Sequence, residues 1–89
     1  MQFEWDENKA ASNFKKHGLD FSDAYRVFEE DTFTFEDSRL DYGEQRFVTL
    51  GVLNGVAVVL IHTENIDVIR VISFRKAVKN EQGLYFKNL

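Results

Sequence analysis

The sequence predicts one α+β domain: two N-terminal helices, an antiparallel β meander of about four strands plus a short N-terminal strand, and a C-terminal helix. Three observations carry that reading. Apolar residues recur at helical spacing as far as residue 31 and then alternate with period two. Asn54-Gly55, the strongest two-residue hairpin signal, separates two β-rich runs. The 89 residues contain no linker, repeat, low-complexity tract or proline, so a single core spans residues 1–89.

"QFEW" alternates weakly and is expected as the first strand. In "DENKAASNFKKHG", Asp6 or Asn8 caps a helix, and acidic Glu7 suits its first turn. Lys15, Lys16 and His17 suit its last turn, and Gly18 is placed to end it. Ala10, Ala11 and Phe14 give this helix its apolar face. A second helix is expected over "FSDAYRVFEED", with Ser22 as N-cap and Phe21, Ala24, Tyr25 and Phe28 facing the core. "TFTFE" then alternates as a half-buried strand, and "DSRLDYGE" reads as a loop.

"QRFVTLGVL", "VAVVLIHT" and "VIRVISF" complete the meander. The middle run is apolar on both faces, as a doubly covered central strand should be. Helical spacing returns in "RKAVKNEQGLYFKNL", where Ala77, Val78, Leu84 and Tyr85 are available for packing. Gly83 is expected to break or weaken this helix at a cost of about 1 kcal/mol.

Composition narrows the chemistry. There is no cysteine, which removes thiolate catalysis and cysteine-ligated zinc and suits a reducing cytoplasm. His17 and His62 are the only histidines, so a histidine-rich metal site is not expected, and no metal or organic cofactor is assigned. The first residues carry no apolar signal-peptide region, and the longest apolar run, "GVAVVLI", is too short to span a bilayer. A cytoplasmic protein is the expectation. The net charge of −4 counts against a broad, non-specific nucleic-acid binder but leaves room for a local basic site.

Such a site is suggested by "VIRVISFRKAVKN", a core strand that runs into Arg75, Lys76 and Lys79 with Arg70 in its middle. If Asn54-Gly55 forms a two-residue turn, Phe47 pairs with His62 and Arg46 with Thr63. If "ENID" closes the next hairpin with Thr63 opposite Val68, Ile61 faces Arg70. Arg46 and Arg70 then share one face, roughly 10 Å apart, and His62 points to the other. Taken alone, Arg70 reads as a rim residue, Glu44–Arg46 as an ordinary ion pair, and Lys15, Lys16 and His17 as helix-dipole complements. Their joint placement near the same strand ends favours an anion site.

The order of these residues resembles the BrnT family of bacterial toxins, the toxin half of type II toxin–antitoxin pairs. The matching stretches are "FEWDENKAASNFKKHGLDF", "AYRVFEED", "YGEQRFVTLG" and "HTENIDVIRVISFRKA", with the C-terminal "LYF". The resemblance implies a RelE-like microbial ribonuclease fold, cleavage of mRNA that arrests growth, and no cofactor. It also implies a BrnA-like ribbon-helix-helix antitoxin, as a heterotetramer that reaches operator DNA only through the antitoxin. The family pattern falls here on Lys9, Lys16, His17, Glu44, Arg46, His62, Arg70, Ser73 and Arg75.

Metal-free RNA cleavage needs charge stabilisation at the phosphate and acid–base groups for the 2′-OH and the leaving oxygen. Arg70, Arg46 and Arg75 are the candidates for the first task, with Glu44 or His62 for the second and His62 preferred over His17. Lys9, Lys16, His17, Ser73 and Lys76 are expected to contact RNA. The C-terminal "KAVKNEQG" is less basic than the family pattern. The alternative reading is therefore a catalytically weak module that holds the antitoxin and acts as co-repressor.

Overall fold

The long strand Val56–Asn65 (β4) is the middle of a five-stranded sheet ordered β1-β5-β4-β3-β2. Its neighbours are Phe47–Leu53 (β3) and Val68–Lys76 (β5), both antiparallel to it. Phe33–Glu36 (β2) lies antiparallel outside β3, and Gln2–Glu4 (β1) lies outside β5, parallel to it. The computed structural model describes residues 1–89 and adds three helices, Glu7–His17 (α1), Ala24–Phe28 (α2) and Lys79–Lys87 (α3). A 3₁₀ turn, Phe21–Asp23, leads into α2.

Asn54 and Gly55 both have positive φ (52° and 78°), so the β3–β4 hairpin takes the expected two-residue turn, with Phe47 opposite His62. The second hairpin differs from expectation by two residues. Asn65 pairs with Val68 and Thr63 with Arg70, and only Ile66 and Asp67 remain in the turn. Both have positive φ (27° and 59°), a twist that suits a tight hairpin but that a β-branched isoleucine disguises in sequence.

Helix α1 begins at Asp6, whose carboxylate accepts the Lys9 N–H, and ends at Gly18 with φ 72°. Its inward residue is not the expected one. Phe14 is 54% exposed and Ala11 is exposed, while Asn13 is buried. β1 pairs only with residues 68–70, so the edge of β5 beyond it needs another partner. Asn13 supplies one: its Nδ2 donates to the Phe74 carbonyl at 2.8 Å, and its Oδ1 accepts the Phe74 N–H at 3.1 Å. The side-chain amide stands in for a strand.

Asp20, not Ser22, caps the next element by accepting the Ser22 N–H. Phe21 and Ala24 are buried as expected, joined by Val27, whereas Tyr25 is half exposed. α2 approaches β3 closely because position 51 is glycine. A Cβ there would lie 2.5 Å from Val27 Cγ1.

The sheet carries two apolar layers. Under α1 and α2 lie Phe21, Ala24, Val27, Leu53, Val58, Leu60, Ile69, Val71 and Phe74. On the opposite face Val48, Leu50, Val59 and Ile61 pack with Tyr85 of α3, whose hydroxyl donates to the Asp31 carbonyl. α3 runs unbroken through Gly83, contrary to expectation, and packs through Tyr85, with Val78 and Leu84 facing outward.

Candidate ribonuclease site

Between Val71 and Ser73 the strand β5 carries one extra residue. His62 pairs with Val71, Ile61 pairs with Ser73, and Ile72 is left without a partner. This bulge reverses the alternation that follows it. Arg70, opposite Thr63, and Arg75, opposite Val59, are five residues apart and would fall on opposite faces of a regular strand. Because of the bulge both lie on the α3 side, with Ser73 between them.

Two groups of cations lie along β5, one on this face and one at its edge. The first is the row Asp37, Arg46, Thr63, Arg70, in which the Asp37 N–H donates to the Arg46 carbonyl at 2.8 Å and Thr63 pairs with Arg70. Arg46 precedes β3 and lies over the Tyr42 ring, 4.1 Å from its centroid, with Glu44 at 3.4 Å. Arg70 is 46% exposed and reaches Glu4 only at 3.9 Å. The two arginines thus share a face, with one strand between them.

The second group lines the seam between α1 and the free edge of β5. Lys9, Lys16, His17 and Ser73 open onto one cleft, and Lys16, His17, Arg75 and Lys76 onto the adjoining one. The Asn13 clamp positions this seam: it fixes Phe74, and the side chains on either side of Phe74 are Ser73 and Arg75. Strand β5 links the groups, with Arg70 and Arg75 roughly 15 Å apart along it.

Every arginine has an acidic partner. Arg26 meets Asp23, Arg39 meets Asp37, Arg46 meets Glu44, Arg70 meets Glu4 and Arg75 meets Glu81. None of the six lysines has one. The strongest pair is Arg75–Glu81, two parallel hydrogen bonds of 2.7 and 2.8 Å. That hydrogen bonding holds the Glu81 carboxyl below its usual range and raises the Arg75 guanidinium.

His62 lies elsewhere. It is fully buried on the helix-covered face, 5.7 Å from the Phe28 ring and 6.0 Å from Phe47 between ring centres. Its Nε2 shares a 2.7 Å hydrogen bond with the Thr49 hydroxyl, which in turn bonds Thr34. Burial lowers its pKa, against the opposing pull of Glu64, and Nδ1 has no hydrogen-bond partner. A side chain with no exposed surface does not touch a substrate, so the preference for His62 over His17 reverses.

Three residues of this face went unread in the sequence. Asp37 is buried, and the Arg39 fork, with help from the Tyr42 hydroxyl, holds its carboxyl down to about 2. Together they pin the loop between β2 and β3 beside Arg46. The only sequence signal is Asp37, Arg39 and Tyr42 at short spacing in a segment that reads as a loop. Asn13 lies inside the matching stretch "FEWDENKAASNFKKHGLDF", but nothing in the sequence gives it a task.

Comparison with known proteins places this arrangement. A search of curated proteins found no match. Among solved structures, the crystal structure of the Brucella abortus ribonuclease toxin BrnT is similar at 32% identity with a TM-score of 0.70, over 89% of this chain and 99% of that one. The family model described as the ribonuclease toxin BrnT of type II toxin–antitoxin systems matches residues 5–81. The chain belongs to the BrnT family of ribonuclease toxins of type II toxin–antitoxin systems.

Proposed function

We propose that the protein cleaves mRNA in the cytoplasm without a metal ion, arresting growth, on the sheet face that carries Arg46, Arg70, Ser73 and Arg75. The observation that carries this reading is the bulge at Ile72, which brings Arg70 and Arg75 to one face, with Arg75 lining a cleft beside His17. In the reaction a base removes the 2′-OH proton and the 2′-oxygen attacks the adjacent phosphorus. The bond from phosphorus to the 5′-oxygen breaks, and an acid protonates that oxygen as it leaves. The products are a 2′,3′-cyclic phosphate and a free 5′-hydroxyl.

Arg46, Arg70 and Arg75 hold the charge that builds on the phosphate oxygens, a task suited to a fork that stays protonated. His17 is the acid–base group in this reading, since an imidazole can both accept and donate a proton and His17 opens onto the clefts lined by Ser73 and Arg75. Glu44, half exposed beside Arg46, is the second candidate. Lys9, Lys16 and Lys76 contact flanking phosphates. No group of three or more His, Asp or Glu side chains converges as metal ligands would.

The purified protein should cut a labelled mRNA in EDTA and leave cyclic-phosphate ends. Activity that EDTA abolishes and a divalent ion restores sinks the metal-free mechanism.

A type II toxin has an antitoxin partner, and we assign it as a BrnA-like ribbon-helix-helix protein bound two to two. Phe14 on α1 and Phe86 and Leu89 at the end of α3 are exposed apolar residues fit for such a contact. The pairing of all five arginines with acids favours one competing reading, a weak ribonuclease that serves mainly to hold the antitoxin on its operator. Cleavage by the free protein at rates indistinguishable from buffer would select it.

A further inference from the structure

The guanidinium of Arg75 points to the α1–β5 cleft with its fork already filled. Both of its terminal nitrogens donate to Glu81, at 2.7 and 2.8 Å, and Glu81 Oε1 also accepts the Val78 N–H at 2.9 Å, at the start of α3. A bidentate guanidinium joined by a backbone N–H at a helix start is the donor set that holds a phosphate. A carboxylate and a phosphodiester present the same pair of oxygens to that fork. We propose that Glu81 occupies an oxyanion subsite for an RNA phosphate, built from Arg75 and the Val78 N–H, and that RNA enters by displacing it. The inference rests on the reading of this face as the RNA-cleaving one.

The surroundings fit an anion site better than a plain ion pair. Lys16, His17 and Lys76 line the same cleft as Arg75 and bring no carboxylate with them. Arg39, reaching over from the β2–β3 loop, lies within Coulombic range of both Arg75 and Glu81. Glu81 thus lies within range of two guanidinium groups, of which Arg39 is already forked to Asp37. Removing the Glu81 charge leaves the Arg75 fork open to a polyanion, in the cleft it shares with Lys16 and Lys76.

The test is a binding titration with fluorescent single-stranded RNA carrying 2′-O-methyl groups, which prevents cleavage, at several salt concentrations. Glu81→Gln keeps the length and an amide oxygen that accepts the Val78 N–H, as a glutamine at this helix position does. It should bind on the order of tenfold tighter, one contact's worth, and its log K against log salt should steepen by about 0.7, one more phosphate. Glu81→Asp keeps the charge but falls short of the fork, so it should also tighten binding. In an Arg75→Ala background neither substitution should change affinity.

Binding by Glu81→Gln no tighter than wild type overturns the subsite. A gain that persists without Arg75, or that Glu81→Asp fails to show, assigns the effect to long-range charge and overturns it as well. Glu29→Gln, on the acidic cleft beside Asn54, is the remote control and should change affinity little. If RNA binds normally and only the Glu81 variants behave otherwise, the ribonuclease reading stands and the subsite alone falls. If no variant binds RNA, both fall.

Discussion

The two faces of the sheet are made from the same three long strands and serve opposite ends. The face under α1 and α2 is sealed: Phe21, Val27, Val58, Leu60, Val71 and Phe74 have at most 2% of their surface exposed, and even a histidine is buried among them. The other face is covered by α3 at one end only; Arg46 and Arg70 lie toward its open end, and Arg75 at the covered end is bound to Glu81 of α3. The difference teaches where each kind of substitution acts. Changes on the sealed face are expected to act on stability, while changes at exposed positions of the open face are expected to leave the fold alone and act on the proposed cleavage.

The largest expected effect breaks the sealed face. Phe74 is completely buried, and its backbone is the strand edge that Asn13 clamps. Phe74→Ala removes a full aromatic side chain from a close-packed site and should cost about 3–5 kcal/mol. For a domain this size that is a fall in Tm of more than 10 °C by the usual scaling, on the order of 4–8 °C per kcal/mol. A thermal melt within a few degrees of wild type would show that the core tolerates a cavity there and that the contrast between faces is overstated.

The open face gives the opposite result. Arg70 is nearly half exposed and its one ionic contact, Glu4 at 3.9 Å, is long and also exposed. Such a pair contributes about 1 kcal/mol or less to folding. If Arg70 stabilises phosphate charge during cleavage, losing it should slow RNA cutting roughly a hundredfold or more, about 3–4 kcal/mol of barrier. Arg70→Ala should therefore melt like wild type, cut poorly and still hold the antitoxin. Arg70→Lys should recover only part of the rate, because a point charge does not replace the fork. Unchanged cutting would move the search to Arg46 and Arg75.

How much of this was legible in sequence follows from the range of each interaction. The central strand, the Asn54-Gly55 hairpin and the end of α1 at Gly18 were readable because each is set by residues adjacent in the chain. So was the shared face of Arg46 and Arg70: the hairpin slipped by two residues from expectation, and a slip of two leaves every side chain on its side. The bulge at Ile72 was not readable, since no turn residue marks it; it lies two residues before Phe74, which Asn13 clamps from 61 residues away. Without it Arg75 falls on the wrong face. Asn13 and Phe14 exchanged places for the same reason: a free strand edge needs hydrogen bonds more than it needs a phenyl ring.

The smallest effect concerns His62, and it sharpens the contrast between the two histidines. Burial lowers the His62 pKa below its unfolded value near 6.5, so the folded protein resists a proton that the unfolded chain accepts. Above pH 6.5 both states leave the imidazole neutral, and the group contributes no pH dependence. As pH falls below 6.5 the unfolded chain binds more protons than the native one, and stability drops until the folded pKa is passed. Nδ1 has no hydrogen-bond partner and the nearest carboxylate, Glu64, is 3.7 Å away, so relief on protonation is partial. Thermal melts from pH 7.5 to 5 should show a falling Tm. His62→Gln, whose amide can still bond Thr49, should flatten that fall, and His17→Gln should not. Equal slopes for wild type and His62→Gln would mean that the acid sensitivity in this range arises elsewhere.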